Sequence, residues 1–74
     1  MKKDLKEFFE HDIENICNEY SKVYTDDTQR IEALNRLKSS IKQSWLHDEI
    51  TLESEFYLLS LIDGKLFNLK EKGE

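Results

Sequence analysis

The chain has 74 residues, a net charge of −5 and no proline, so it is too short for more than one domain. A single cysteine, Cys17, excludes an internal disulfide, and no apolar run reaches the roughly 18 residues that a membrane span needs. The opening residues lack the apolar stretch of a signal peptide. We therefore expect one small cytoplasmic domain, spanning residues 1–74.

The first predicted element is an amphipathic helix over about residues 4–24. Apolar residues recur there at steps of three and four, which at about 100° per residue places them on one stripe. Cys17 lies on this stripe and is expected to be a small buried residue. The stripe comprises Leu5, Phe8, Phe9, Ile13, Ile16, Cys17, Tyr20, Val23 and Tyr24.

A second helix is predicted over about residues 28–46. Asp26 and Gln29 have the spacing of a capping box at its start. The predicted buried stripe consists of Ile31, Leu34, Leu37, Ile41 and Trp45. Lys38 interrupts that stripe and is expected to turn its ammonium group outward.

A third helix is predicted over about residues 52–69, with Thr51 as its N-cap. Its expected core stripe is Leu52, Phe56, Leu59, Ile62 and Leu66. The alternative is a β-hairpin, because Asp63-Gly64 between two apolar runs is typical of a type I′ turn. Leucine dominates the segment, which favours the helix. The expected fold is thus an all-α three-helix bundle, and the alternative is two helices followed by a C-terminal hairpin.

Residues 56–69 carry more apolar surface than one buried helix face can hide. Tyr57, Leu58 and Leu61 form a second stripe on the expected outer side of helix 3. Exposed apolar surface on a small protein indicates a partner. We expect these three residues to anchor a target protein or a second copy, and a second copy would give a homodimer formed through helix 3. The alternative is that the chain wraps around helix 3 and buries both of its faces itself.

Charge is segregated along the chain. Residues 4–19 hold six acidic residues and one lysine, and residues 48–64 hold five acidic residues and no basic one. The segment between them, 20–47, holds five basic and three acidic residues. Glu7, Glu10 and Glu14 lie along one side of helix 1, with neighbours about 5 Å apart along the axis. This face is expected to dock onto a basic protein surface, and the alternative is an ordinary solvated face.

The sequence contains no recognisable catalytic or ligand-binding motif. Its two histidines and one cysteine lack the spacing of a zinc site, and both glycines are isolated, so phosphate-binding loops are absent. The basic middle segment lies between two acidic ones, a poor pattern for binding phosphates. We expect a non-enzymatic protein with no metal, no cofactor and no direct contact with nucleic acid or membrane.

One segment resembles a known recognition motif. Leu58-Leu59-Ser60-Leu61-Ile62 is similar to the pentapeptide Gln-Leu-Ser/Asp-Leu-Phe, by which bacterial replication proteins bind the sliding clamp. Leu59, Ser60 and Leu61 match, whereas Leu58 replaces Gln and Ile62 replaces Phe. Together with its small size and acidity, the chain resembles phage-encoded inhibitors of the bacterial sliding clamp, of the staphylococcal phage type.

This resemblance implies an inhibitor that acts in the host cytoplasm and blocks the access of the clamp to DNA. Its acidic faces would act as a DNA mimic against the basic lining of the clamp. The alternative reading is a helical immunity or antitoxin-type protein that neutralises a toxin.

Overall fold

A computed structural model describes residues 4–18 and 20–72 of the chain. The described chain forms three helices, α1 (Lys6–Cys17), α2 (Asp27–Leu46) and α3 (Leu52–Lys72), and contains no strand. Each helix packs against the other two, so the expected all-α three-helix bundle is confirmed. The hairpin alternative is wrong, because Asp63 and Gly64 both lie within α3. None of these helices has the length and apolar character needed to cross a membrane.

Helix α1 is shorter than predicted, because local hydrogen bonds turn the chain after Cys17. The side chain of Asn18 accepts a bond from the backbone N–H of Tyr20 at 2.9 Å. The hydroxyl of Ser21 accepts from the N–H groups of Val23 and Tyr24, each at 3.2 Å. Such side-chain acceptors compete with helix continuation. Tyr20 and Val23 are exposed as a result, and Glu19 lies outside the described residues.

The capping predictions for α2 and α3 are confirmed. Asp26 accepts a hydrogen bond from the N–H of Gln29 at 2.8 Å, and Thr51 accepts one from the N–H of Ser54 at 3.1 Å. The amide of Gln29 reaches back to the N–H of Thr25, one residue before the cap. The bonds to Asp26 and Thr51 satisfy N–H groups that the first turn of a helix leaves unpaired.

A tight turn joins α2 to α3. The N–H of Glu49 bonds to the carbonyl of Ser44 at 2.8 Å, and the N–H of Asp48 bonds to that of Trp45 at 3.0 Å. This is the Schellman arrangement, which requires a left-handed residue after the helix. Asp48 supplies it, with φ at 60°. The turn reverses the chain so that α3 runs antiparallel to α2.

The core is apolar and lies along the common axis of the three helices. Ile62 and Leu66 of the expected core stripe of helix 3 are buried and Leu59 packs against the core, as predicted, whereas Leu58, which was expected on the outer side, is also fully buried. Leu52 and Phe56, predicted to be buried, are exposed instead. Trp45 was also expected in the core and is 39% exposed, with Ser44 buried beside it. The buried apolar residues are Phe9, Ile13, Ile16, Leu34, Leu37, Ile41, Ile50, Leu58, Ile62 and Leu66.

Candidate interaction surfaces

The starts of α1 and α3 lie side by side. The N–H of Leu5 bonds to the carbonyl of Glu49 at 3.2 Å, and the hydroxyl of Ser54 donates to the carboxylate of Asp4 at 3.1 Å. One turn further along, the hydroxyl of Tyr57 donates to Glu10 at 3.2 Å. The two helices therefore run parallel, and both begin at the end of the bundle where α2 finishes.

This arrangement brings together two acidic segments that are far apart in the sequence. Among the described residues 4–10 and 42–57 there are seven carboxylates and two lysines. One of the two, Lys6, lies over the ring of Tyr57, with its Nζ 4.7 Å from the ring centroid. A cation so placed interacts with the face of the aromatic ring. We call this part of the molecule the acidic end.

The three glutamates predicted to dock a partner differ in accessibility. Glu7 and Glu14 are exposed on the outer side of α1, as expected for a docking face. Glu10 is half-buried and accepts the hydrogen bond from Tyr57, which ties it to α3. The exposed carboxylates of α1 are thus Glu7 and Glu14, and Glu10 has a structural contact within the chain.

The predicted apolar anchors are not a continuous surface. Leu58 is fully buried, so its expected place on the outer side is wrong. Leu61 is half-buried and packs against the core. Tyr57 is partly exposed, with its hydroxyl and ring engaged by Glu10 and Lys6 of α1. The physical reason is that α1 and α2 both dock on the side of α3 that carries Leu58 and Ile62.

The segment that resembles the clamp-binding pentapeptide is helical throughout. Leu58 and Ile62, its first and last residues, are fully buried, and Ser60 is exposed between them. Binding of this segment in an extended form therefore requires α3 to unfold. The geometry of the pentapeptide gives no support to a direct role in clamp binding.

Two exposed phenylalanines of α3 were missed by the sequence prediction. Phe56 is 63% exposed and Phe67 is 64% exposed, both on the side of α3 that faces away from α1 and α2. Leu52 is half exposed near the same side. The signal was present, because Phe56 and Phe67 are eleven residues apart, which is close to three helical turns. The most exposed apolar surface of helix 3 was predicted at Tyr57, Leu58 and Leu61. In the structure it lies at Phe56 and Phe67.

Asp63 is held by α2 rather than by a neighbour on its own helix. Its Oδ1 lies 2.9 Å from the Nζ of Lys38. The ammonium group of Lys38 therefore points away from the apolar stripe of α2, as predicted, and forms an ion pair with a carboxylate on α3. Both side chains remain partly open to solvent, so the pair contributes little to stability and chiefly orients the two helices.

Cys17 has the properties of a packed thiol. It is half-buried against the core, and burial raises the pKa of its thiol, while the nearby positive charges of Lys65 and Arg30 partly offset this effect. A raised pKa keeps the thiol protonated near neutral pH, which disfavours nucleophilic attack. Among the described residues, no group of three or more His, Cys, Asp and Glu side chains is arranged to hold a metal ion.

A wide groove separates the second half of α1 from the start of α2. It encloses about 820 Å³ and is open to solvent along its length. Ile16, Ala33 and Leu37 contribute apolar surface, and Asp12, Glu32 and Arg36 contribute charges of both signs. Charges of both signs favour no particular class of ligand.

Comparison of the chain with protein-family models, with curated proteins and with solved structures finds no match.

Proposed function

We propose that the chain is a non-enzymatic binding protein that uses its acidic end to occupy a basic surface of a host protein. The supporting observation is the convergence of two acidic segments, residues 4–10 and 48–57, at one end of the bundle. Opposite charge accelerates association and selects partners, and it does so most strongly at low salt. Glu7 is exposed at the acidic end and Glu14 is exposed about two turns further along the outer side of α1; together they supply the charged contacts of α1.

The proposed target is the bacterial sliding clamp, in agreement with the resemblance to phage-encoded clamp inhibitors. A ring that encircles DNA needs a basic lining, and an acidic protein lodged there excludes DNA by competition. Because Leu58 and Ile62 are buried, the proposal depends on the acidic end and not on the pentapeptide. Inhibition of this kind needs neither a catalytic residue nor a cofactor.

Calorimetric titration of a purified staphylococcal sliding clamp tests the proposal. We expect saturable binding that weakens steeply as salt is raised, and loss of clamp loading onto DNA in the same concentration range. The double change Glu7→Lys and Glu14→Lys should weaken binding by roughly tenfold or more, because it reverses two charges at the contact.

The matched control is Glu32→Lys with Glu71→Lys, which makes the same change in net charge at exposed positions on α2 and α3, away from the acidic end and from the outer side of α1. We expect this control to lose clearly less affinity. Absence of binding at low salt contradicts the choice of the clamp. Equal losses for the two double variants contradict the assignment of the contact to the acidic end and the outer side of α1.

A further inference from the structure

The outer face of α3 has a regular pattern of exposed residues. Six of them recur at alternating steps of three and four along the helix, and each is exposed. Leu58, Ile62 and Leu66 are buried on another side of α3, so this face is open to solvent, and Asp63 lies where the face borders α2. We call it the α3 seam, and its members are Glu53, Phe56, Ser60, Asp63, Phe67 and Lys70.

The spacing of the α3 seam is that of the two contacting positions in a heptad repeat. Its members are also placed symmetrically about the point between Leu61 and Ile62. Phe56 and Phe67 are equally far from that point, as are Glu53 and Lys70, and Ser60 and Asp63. A surface with its residues placed symmetrically about a midpoint is suited to an isologous contact, in which both subunits use the same surface.

We propose that the α3 seam binds a second copy of this chain, with the two α3 helices antiparallel. In this register Phe56 of each copy lies opposite Phe67 of the other, which makes two aromatic contacts in one interface. Paired aromatic rings are favoured contacts at the centre of protein interfaces. Ser60 lies opposite Asp63 at the middle, where the short Ser60 side chain lets the helices approach closely.

The charges of the seam select the antiparallel direction. Glu53 lies opposite Lys70 of the second copy, so opposite charges meet at both ends of the contact. A parallel pairing sets each residue against its own counterpart, which brings together two Glu53, two Asp63 and two Lys70 side chains. Like charges across such a seam are unfavourable. Lys38, bonded to Asp63 at 2.9 Å, also offsets the negative charge near the two-fold axis.

The proposal does not depend on the identity of the target. The proposed dimer contact does not include the outer side of α1, where Glu7 and Glu14 lie, because α1 packs on another side of α3. The dimer therefore carries two copies of the α1 part of the acidic end in one particle, while Glu53 of each copy lies in the dimer contact.

Sedimentation velocity of the full chain over a dilution series tests the inference. We expect a concentration-dependent monomer–dimer equilibrium. Phe56→Ser and Phe67→Ser should each weaken dimerisation by roughly tenfold or more, because each change removes two contacts by symmetry. Phe8→Ser is the matched control, an exposed phenylalanine on α1 that lies outside the seam. Far-UV circular dichroism checks that every variant stays helical.

Charge exchange tests the register separately from the aromatic contacts. Glu53→Lys alone should weaken the dimer, since it places two lysines opposite each other. Adding Lys70→Glu to this variant should restore dimerisation toward the level of the parent chain. A chain that stays monomeric at every concentration overturns the inference, and it points to a different protein as the occupant. Equal effects of Phe8→Ser and Phe56→Ser, or a double exchange no better than Glu53→Lys alone, also overturn it.

Discussion

The hydroxyl of Tyr57 donates a hydrogen bond to the carboxylate of Glu10, 3.2 Å away, and so joins α3 to α1. Both residues were expected to bind a partner. Their contact shows that part of the predicted binding surface holds the bundle together, and that the surface left free lies elsewhere, at Glu7, Glu14, Phe56 and Phe67.

The contact between Tyr57 and Glu10 should contribute modestly to stability. Tyr57→Phe removes the hydroxyl and keeps the ring under Lys6, so we expect a loss of about 0.5 kcal/mol, the low end for a hydrogen bond that is open to solvent. Urea denaturation measures the change. Glu10→Gln keeps an acceptor for the hydroxyl and serves as the control, with a smaller expected effect. A loss above about 2 kcal/mol for Tyr57→Phe would mean that the hydroxyl has a further buried role.

Leu58 should be among the most sensitive positions of the chain. Leu58→Ala creates a cavity in the core, and we expect a loss of about 2–5 kcal/mol in the free energy of unfolding. Because a protein of this size has little stability to spare, that loss can unfold most of the population at room temperature. Phe67→Ala removes a larger but exposed side chain and should change the monomer by less than about 0.5 kcal/mol. Chemical denaturation at low protein concentration compares the two. A small loss of stability for Leu58→Ala would contradict the burial of Leu58 in the core.

Gly64 is an internal position of α3 at which alanine should make the protein more stable. A Cβ built there meets no atom within 4 Å, and its φ is not in the left-handed region. We therefore expect Gly64→Ala to stabilise the protein by about 0.8–1 kcal/mol, since glycine is the less favourable residue in a helix interior. A higher midpoint of thermal unfolding would show this gain. A lower midpoint would indicate that the helix bends at Gly64 in solution.

Asp26 should stabilise α2 mainly through its capping hydrogen bond rather than through its negative charge. Asp26→Ala removes the bond to the N–H of Gln29, at a cost of about 1 kcal/mol. Asp26→Asn retains an oxygen that can accept this bond and should cost much less. Thermal unfolding of the two variants separates capping from electrostatics. If asparagine were as damaging as alanine, the negative charge at the start of α2 would be the dominant contribution.

The Cys17 thiol should react slowly in the folded protein. Its pKa is raised mainly by burial, so the thiolate fraction at neutral pH is smaller than in the unfolded chain. We expect iodoacetamide to modify the native protein more slowly than the urea-unfolded protein, with a rate that rises with pH. The same shift affects stability, because the folded state holds this proton more tightly. Its contribution is complete below the unfolded pKa and is lost as pH rises through the folded pKa.

Rapid alkylation of Cys17 in the native state would contradict this prediction and would indicate a reactive thiol. Cys17→Ser provides the control for modification at other residues. The pH dependence of unfolding for the parent chain and for this variant should differ only on the alkaline side.

The number of helices and the approximate limits of α2 and α3 follow from the sequence alone. The capping residues Asp26 and Thr51 carry local chemistry that acts over three residues, so their roles are readable without a fold. Apolar residues at helical spacing likewise predicted three amphipathic segments. The end of α1 was missed, because Asn18 and Ser21 can be accommodated in a helix and become turn residues only when the chain must return toward α2.

The full burial of Leu58 and the exposure of Phe56 depend on how the three helices pack. Helix 3 has apolar residues on two sides, and hydrophobic pattern alone does not distinguish them. Docking of α1 and α2 selects Leu58 and Ile62 for the core and leaves Phe56 and Phe67 outside. The tertiary structure also decided that the two acidic segments meet, since their proximity depends on α1 and α3 being parallel. Burial and charge proximity are properties of how helices pack, and packing depends on contacts between residues far apart in the chain.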